Sequence, residues 1–296
     1  MTAQVDIVCI GAVLWDIIGR APGALQPGQD VPGRIIRQPG GVALNIALSL
    51  RRFGLRPALL SALGQDAEGE ELLTACTGAG LFTEYIHRHA HPTDRYMAIE
   101  DADGLAAAIA DAHGLERAGA TILKPLLAGP LGRPGAPFCG TVILDGNLTA
   151  PLLAEIAHNP AFACADLRVV PASPGKATRL TPFLTHPRAT LYLNRLEAEG
   201  LCARPFSGAS EAAAALSQMG TNRALITDGP NMAADLHRGD LLTARPPAVT
   251  VHRITGAGDA FLAGHLAAEA RGADRAPALR AALDAAARHI SAKDIP

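Results

Sequence analysis

The strongest chemical signal in the sequence is a run of small residues followed by an aspartate, Ile254-Thr-Gly-Ala-Gly-Asp-Ala-Phe-Leu-Ala-Gly264. Gly256, Ala257 and Gly258 allow successive backbone N–H groups to converge on one point. The helical pattern that follows adds the positive potential of a helix N-terminus. This arrangement predicts an anion hole for a transferring phosphoryl group. Asp259, in the first turn of that helix, is placed to accept a proton from a hydroxyl nucleophile.

The sequence does not match two other phosphate-binding motifs. Gly175-Lys176 is followed by Ala177 rather than by the Ser or Thr of a Walker loop. The motif at 256–261 lacks the third glycine of a dinucleotide fingerprint, because Phe261 stands in that place. The chain also has no early G-x-G-x-x-G, which argues against an NAD-dependent enzyme.

A second glycine motif lies near the N-terminus, in Gln38-Pro-Gly-Gly-Val-Ala-Leu-Asn45. The glycine pair that ends at Gly41 permits close approach of a ligand to the backbone at a helix start. Asn45, one turn into that helix, offers a donor and an acceptor to sugar hydroxyls. Asp16 follows the first strand, where α/β sheets bind ligands, and can accept two hydrogen bonds from vicinal hydroxyls. Each feature taken alone also fits a plain loop or a solvated aspartate.

Strand and helix signals alternate along the whole chain, and they must position these residues. Residues 5–10 form a short apolar run typical of a strand buried on both faces, and residues 41–53 show the pattern of an amphipathic helix. Further strands are predicted at 57–63, 141–144, 168–170, 190–193 and 224–227, and further helices at 68–75 and 211–219. The alternation predicts a single α/β domain over residues 1–296, with a mostly parallel sheet covered by helices on both faces.

Two segments, at about 15–38 and 85–112, do not follow this alternation. The first is rich in Gly and Pro and has no helical period. The second contains two strand-like runs around Asp101-Ala-Asp-Gly104, and Asp-Gly between apolar runs is a hairpin signal. We predict that the two segments together form a small β-sheet lid that closes over a substrate.

Composition excludes several classes of function. The 296 residues include 26 basic and 28 acidic side chains, so no basic surplus exists to bind nucleic acid. No apolar run approaches the 18 or more residues of a membrane helix, so no membrane partner is expected. The five cysteines are widely spread and form no C-x-x-C pair, which predicts neither a disulfide nor structural zinc and indicates a reducing cytoplasm.

Four motifs in order resemble those of the ribokinase-like (PfkB) carbohydrate kinases. The first two are the paired signatures GGVALNIALSLRRFG and ITGAGDAFLAGHLAA. Asn194-Arg-Leu-Glu197 is similar to the N-x-x-E motif of that family, and Thr227-Asp-Gly229 is similar to its T-x-G turn. The resemblance extends from Gly11 to about residue 290.

The resemblance implies a ribokinase-like three-layer α/β/α sandwich with a β-sheet lid. It also implies transfer of the γ-phosphoryl group of ATP to a hydroxymethyl group, with Mg²⁺ as cofactor. The resemblance implies that Asp259 is the catalytic base and that an anion hole is formed by Gly256, Ala257 and Gly258. It implies that sugar is bound by Asp16, Gly41 and Asn45, and that the nucleotide is contacted by Thr227 and Gly229. It also implies that Asn194 and Glu197 organise Mg²⁺ and phosphate, with Glu197 as the metal residue. Lid strands in the family often pair between subunits, so a homodimer is expected.

The sequence departs from the family pattern at two positions. Many members carry Asp where this chain has Arg253, so a role for a monovalent cation is open and an extra positive charge near the phosphates is predicted. The T-x-G turn usually continues to a glycine at the position of Met232, which leaves the nucleotide contacts open.

The acceptor is predicted from the lid and one loop. Residues 92–111 resemble the lid hairpin of pseudouridine kinases within the family, and Asp145-Gly-Asn147-Leu resembles a D-x-N-L run of that subgroup. Tyr96 and Met97 are candidates to stack on a base, and Trp15 is a candidate to line the sugar pocket or to pack in the core. Phosphorylation of the pseudouridine 5′-hydroxyl is therefore expected. Kinases for ribose, fructose, 2-keto-3-deoxygluconate or another nucleoside, and a non-catalytic nucleoside or nucleotide sensor, stay open.

Overall fold

The computed structural model describes residues 5–26, 28, 30–102, 104–253 and 255–292. Asp103 of the predicted hairpin turn and Ile254 of the glycine motif lie outside the described residues. The largest sheet consists of β1 (Ile7–Ile10), β4 (Ala58–Leu60), β9 (Thr141–Asp145), β10 (Asp166–Val170), β11 (Ala189–Asn194), β12 (Arg223–Thr227), β13 (Ala233–His237) and β14 (Asp240–Ala244).

This eight-stranded sheet has the order β14-β13-β12-β11-β10-β9-β1-β4. The six strands from β12 to β4 run parallel, and β13 and β14 add an antiparallel edge. All four residues of β1 are buried, as expected for a strand covered on both faces. The predicted mostly parallel sheet is confirmed.

Helices cover both faces of the sheet. They are α1 (Val42–Arg52), α2 (Ala67–Gly78), α3 (His113–Ala118), α4 (Lys124–Leu127), α5 (Ala150–His158), α6 (Arg195–Cys202), α7 (Ala209–Gln218), α8 (Ala257–Ala270) and α9 (Arg275–Ser291), with 3₁₀ turns at Gly119–Leu123, Pro160–Phe162 and Pro174–Phe183. None of the helices in the described part of the chain has the length and apolar character needed to cross a bilayer.

Two hydrophobic cores lie on opposite sides of the sheet, because successive strand residues point to opposite faces. In β1, Val8 and Ile10 join the core that α5 and α7 cover, whereas Ile7 and Cys9 join the core beneath α1, α8 and α9. The structure therefore has the predicted three α/β/α layers.

The lid is a separate four-stranded sheet of β2 (Leu14–Arg20), β3 (Arg34–Gly40), β7 (Arg95–Asp101) and β8 (Gly104–Asp111), in the order β3-β2-β7-β8. The predicted hairpin is confirmed, since β7 and β8 pair antiparallel. The second lid segment was predicted to begin too early. β6 (His87–His89) pairs instead with β5 (Ala62–Gly64) of the body, and the strand predicted at 57–63 is divided between β4 and β5.

One prediction about the cysteines is wrong, because the structure joins Cys139 and Cys164 in a disulfide. The two residues are 25 positions apart, which hid their proximity. β9 and β10 are parallel neighbours in which Thr141 pairs with Asp166, so each cysteine stands two residues before a paired position. Cys9, Cys76 and Cys202 are free thiols.

Candidate active site

The predicted site residues meet at one edge of the main sheet. The carboxyl ends of parallel strands share an edge, where α/β folds bind ligands. β9 ends at Asp145, β11 ends at Asn194 and β12 ends at Thr227. The lid sheet and the N-termini of α1 and α8 adjoin this edge, because β1 leads directly into β2 and β3 leads into α1.

The anion-hole motif forms the start of α8. Gly256 is the residue before the helix and has a left-handed backbone (φ 83°), and no side chain caps the N–H groups of the first turn. A side chain at Gly256 would meet the His289 ring, with its Cβ 2.8 Å from Nε2. That ring is fixed by a polar contact of 2.9 Å between Nε2 and the Thr255 carbonyl oxygen. The unshared N–H groups and the helix dipole give this turn the capacity to bind an anion.

Asp259, in the first turn of α8, lies among three other carboxylates. Loss of solvation, together with the charges of Asp145, Asp16 and Glu197, raises its pKa to about 7. A polar contact with the Asn45 side chain acts in the opposite direction. A carboxylate with a pKa near neutrality is suited to accept a proton at physiological pH. The structure thus brings Asp259 together with two of the three predicted sugar-binding residues.

Asp16 and the glycine pair before α1 are packed tightly together. Asp16 is almost fully buried on β2, and burial raises its pKa to about 6. A Cβ at Gly40 would collide with the Asp16 carboxylate, and one at Gly41 would collide with the Ala12 carbonyl oxygen. Gly41 also has a positive φ of 99°. Only glycine allows the lid strand and the helix start to approach Asp16 this closely.

Asp145 is a structural residue whose part in the site the sequence analysis did not identify. Its buried carboxylate accepts backbone hydrogen bonds from Ala12 (2.7 Å), Ala43 (3.1 Å) and Asn147 (2.6 Å). A Cβ at Gly11 would occupy the place of this carboxylate. Asp145 therefore fixes the chain that leads to Asp16 and the first turn of α1 that carries Asn45. The D-x-N-L run was the available signal, but the bonds cross between distant segments.

The loop after β9 is held by two cations. Asn147 Oδ1 accepts a 2.6 Å hydrogen bond from Lys176 Nζ, and Arg179 donates to the carbonyl oxygens of Gly146 and Leu148 at 3.1 Å each. Lys176 is half-buried, and burial lowers its pKa. These contacts explain why a lysine outside any Walker loop stands at this edge of the sheet.

Asn194 and Glu197 form a capping box at the start of α6. Asn194 Oδ1 accepts from the Glu197 N–H at 2.9 Å, and Glu197 Oε2 accepts from the Asn194 N–H at 2.7 Å. Burial raises the pKa of Glu197 to about 7. No group of three or more His, Cys, Asp or Glu side chains arranged around a metal site occurs in the described ranges. Mg²⁺ commonly uses one or two carboxylates together with water and phosphate oxygens, so a single buried Glu197 carboxylate fits that ion.

The T-x-G turn follows β12 at the same edge. Gly229 has a positive φ of 55°, and Asp228 accepts a 2.9 Å hydrogen bond from Arg195 Nε. Met232 occupies the position at which the family pattern usually has glycine, and it lines a surface depression with Asp228 and the start of α7. A nucleotide at this edge would lie between the T-x-G turn and the anion hole.

A cleft of about 170 Å³ separates the lid from the body. Its walls come from the inner faces of β2 and β3, from one face of α1, and from the residues just before α8, with Asp16, Asn45 and Gly256 among the lining residues. The lid therefore covers the residues predicted to bind a sugar, at the point where the anion hole opens.

Trp15, the candidate for the sugar pocket or the core, and Met97, a candidate for base stacking, both lie away from the cleft. Trp15 packs in the core, where its indole N–H donates to the Glu68 carbonyl oxygen at 3.0 Å. Met97 is 47% exposed and stands beside Ile17 on the outer face of the lid. Tyr96 pairs with Asp16 and so stands on the inner face of the lid. The alternation of side chains along β7 separates Tyr96 from Met97.

Similarity to known proteins extends over nearly the whole chain. Residues 4–294 match the pfkB family carbohydrate kinase profile. Pseudouridine kinase of Escherichia coli (strain K12) is 31% identical over 267 residues, which cover 87% of this chain and 82% of that protein. A 1-phosphofructokinase of Xanthomonas campestris pv. campestris is 30% identical over 258 residues, which cover 82% and 78% of the two chains.

The fold also matches solved structures. Arabidopsis thaliana ribokinase, solved in complex with ribose and ATP, superimposes with a TM-score of 0.76 at 20% sequence identity, covering 98% of this chain and 94% of that one. The similarity at that identity supports the ribokinase-like fold, and the family match extends over almost the whole chain. This chain belongs to the pfkB family of carbohydrate kinases, ATP-using phosphotransferases that act on an alcohol group of a sugar or nucleoside.

Proposed function

We propose that this kinase phosphorylates the 5′-hydroxyl of pseudouridine with ATP and Mg²⁺. The observation that carries the proposal is the grouping of Asp16, Asn45 and Asp259 beside the first turn of α8. Asp16 and Asn45 offer acceptors and a donor to ribose hydroxyls, and Asp259 lies next to them. Similarity to a pseudouridine kinase over 82% of its length supports the choice of acceptor.

In the proposed reaction, Asp259 accepts the proton of the acceptor hydroxyl as its oxygen attacks the γ-phosphorus. A new O–P bond forms, and the bond from the γ-phosphorus to the β–γ bridging oxygen breaks, which releases ADP. The N–H groups at Gly256, Ala257 and Gly258 bind the charge that develops on the transferring group. Positioning and charge stabilisation are the main needs of phosphoryl transfer.

We assign the nucleotide and metal contacts to the neighbouring turns. Thr227 and Gly229 would contact the nucleotide, Gly41 would allow close approach of the sugar, and Asn194 and Glu197 would hold Mg²⁺ through water or phosphate. Magnesium supplies charge neutralisation at the β- and γ-phosphates when it is bound. A role for a monovalent cation stays a prediction. The single kinase domain over residues 1–296 and the cytoplasmic location are also predictions.

Arg253, at which the sequence differs from the family pattern, supplies a positive charge near the phosphate-binding turn. Arg253 Nε donates to the His289 carbonyl oxygen at 2.9 Å, just before the anion hole. The chain therefore carries its own positive charge next to the phosphate-binding turn. This fits the predicted extra cation near the phosphates.

We also propose a homodimer formed through the outer face of the lid. The strand register places Ile17, Met97 and Ile109 in one row on that face, next to Ile35 and Ile99. Ile35 is 77% exposed and Ile109 is 69% exposed. An apolar patch across four strands is typical of an interaction surface. Light scattering is expected to give twice the mass of one chain, and a monomer at micromolar concentration would contradict this.

The test of the proposed function is acceptor-dependent release of ADP, measured with ATP and Mg²⁺ across pseudouridine, uridine, adenosine, ribose, fructose and 2-keto-3-deoxygluconate. Selective turnover of pseudouridine is the expected result. Turnover of a simple sugar alone would keep the kinase and overturn the acceptor. We add to the panel the phosphorylated fructose that the name 1-phosphofructokinase implies, because that enzyme is 30% identical to this chain.

A further inference from the structure

The cleft under the lid changes character along its length. Asp16 and Asn45 make the end near Asp259 polar. Beyond them the walls are apolar, with Ile18 and its cross-strand partner Ile36 on the lid and Leu48 on α1. Farther along the lid and α1 two arginines line the same cleft, Arg20 and Arg52, whereas Arg253 lines it beside the anion hole.

Two independent elements place these arginines at similar distances from the polar end. Arg20 is four residues beyond Asp16 on β2, or about 13 Å at roughly 3.3 Å per residue, and both point to the inner face. Arg52 is seven residues beyond Asn45 on the same face of α1, or about 10 Å at roughly 1.5 Å per residue. The cleft is therefore longer than the ribosyl unit that its polar end would bind.

We infer that the arginine end of the cleft recognises the carbonyl oxygen of the acceptor's base that lies opposite the glycosidic bond, and that Arg52 determines specificity for a uracil ring over a ring with an amino group at that position. This inference rests on the proposed function. The ribose hydroxyls lie at Asp16 and Asn45, and the faces of the ring lie between the lid isoleucines and Leu48.

The chemistry of the guanidinium decides which base fits. Arginine has five N–H donors and no acceptor, so it can donate to the ring carbonyl oxygen opposite the glycosidic bond, which is O2 in pseudouridine and O4 in uridine. The exocyclic amino groups of cytosine and adenine would turn donors toward donors at this end. A polar group left without a partner costs about 1–3 kcal/mol, or about 5- to 150-fold in affinity.

Arg52 is the best of the three arginines to test. Arg20 is paired with Glu100 at 2.9 Å, and Arg253 is bonded to the backbone at His289, so their replacement would disturb the lid or the anion hole. Arg52 is exposed in the last turn of α1. Arg52→Met keeps most of the apolar stem and removes the donors. Arg280→Met, at an exposed arginine of α9 away from the cleft, is the matched control.

The experiment measures the dissociation constants of pseudouridine and ribose by calorimetry, and kcat and KM for pseudouridine, uridine and cytidine. Arg52→Met is expected to weaken pseudouridine binding about tenfold and to leave ribose within about twofold. The uridine-to-cytidine ratio of kcat/KM should fall about fivefold or more, with kcat for pseudouridine nearly unchanged. Arg280→Met should match the wild type, and Arg52→Lys should keep part of the preference.

Failure of the inference and failure of the proposed function give different results. A wild type that turns over pseudouridine, with the same base preference in Arg52→Met, overturns the inference alone. Equal losses for pseudouridine and ribose also overturn it, because the arginine would then act on the whole cleft. A wild type that turns over no nucleoside, or that prefers a sugar phosphate, overturns the proposed function and the inference together.

Discussion

Two loops at the same edge of the sheet each place an aspartate beside glycines, but the two carboxylates have different surroundings. Asp145, after β9, accepts three backbone hydrogen bonds from separate segments and is fully buried. Asp259, at the start of α8, has only a polar contact with the Asn45 side chain among the described residues and keeps some accessible surface. Burial raises the pKa of both carboxylates, but backbone donors satisfy the first, whereas the second has few donors.

The difference shows how one residue type serves two purposes at a site. A carboxylate that accepts several N–H bonds holds segments in place, since each bond is lost if it moves. A buried carboxylate that has few donors and lies near other negative charges gains affinity for protons. Asp145 therefore holds the chain that leads to Asp16 and the first turn of α1 in place beside Asp259. Its charge also raises the pKa of Asp259.

The largest effect is expected from removing the reactive carboxylate. Asp259→Asn keeps the shape of the side chain but cannot accept the hydroxyl proton, so turnover should fall by roughly 10²–10⁴-fold while substrate binding is largely kept. Steady-state kinetics and calorimetric binding of the acceptor separate the two quantities. Full activity in this variant would remove Asp259 from the proposed reaction.

The pKa of Asp259 gives that experiment a second readout. In the wild type, kcat/KM should rise with pH through an apparent pKa near 7, because the base must lose its proton.

The raised pKa of Asp259 also means that the folded state holds a proton that the unfolded state has lost between about pH 4 and 7. Stability therefore falls as pH rises through that window, and the fall should be smaller in Asp259→Asn. An equal fall in melting temperature from pH 4 to pH 7.5 in the variant and the wild type would contradict this.

A smaller but still large effect is expected at the carboxylate that backbone donors satisfy. Asp145→Ala leaves the N–H groups of Ala12, Ala43 and Asn147 without their acceptor, and should lower the free energy of unfolding by about 3 kcal/mol or more. Urea denaturation measures this loss. Asp145→Asn keeps an acceptor oxygen and removes the charge, so it should cost less stability and shift the acid limb of kcat/KM to lower pH. An unchanged pH profile would limit Asp145 to a structural role.

Local pattern was sufficient to predict most of the fold and the acid–glycine motifs. The buried run of β1, the amphipathic pattern of α1 and the hairpin of β7 and β8 are encoded within short segments. Asp259 was identifiable because its glycines and helix start are adjacent in sequence.

The features that sequence reasoning missed depend on strand register. The bonds of Asp145 require β9 to lie beside β1, with Leu144 opposite Ile10. The Cys139–Cys164 disulfide requires the alignment of β9 with β10. The choice between Tyr96 and Met97 as the residue on the inner face of the lid depends on the pairing of β7 with β2. Neighbouring strands in this sheet come from distant parts of the chain, so no short window contains both partners.

The smallest effect tests how tightly the loop after β1 fits the Asp145 carboxylate. Gly11 has a φ of +152°, and a Cβ there would collide with Asp145. Gly11→Ala should therefore lower the free energy of unfolding by about 2 kcal/mol. Gly23→Ala is the matched control, because no atom lies within 4 Å of its added Cβ, and stability should change by less than about 0.5 kcal/mol.

A double-mutant cycle separates the two causes of the Gly11→Ala loss. In the Asp145→Ala background the collision is removed, so the added cost of Gly11→Ala should shrink to the backbone strain alone, about 1 kcal/mol. An undiminished cost in that background would show that φ, rather than contact with Asp145, makes glycine necessary. The loop would then be fixed by its own backbone, and Asp145 would position only the first turn of α1.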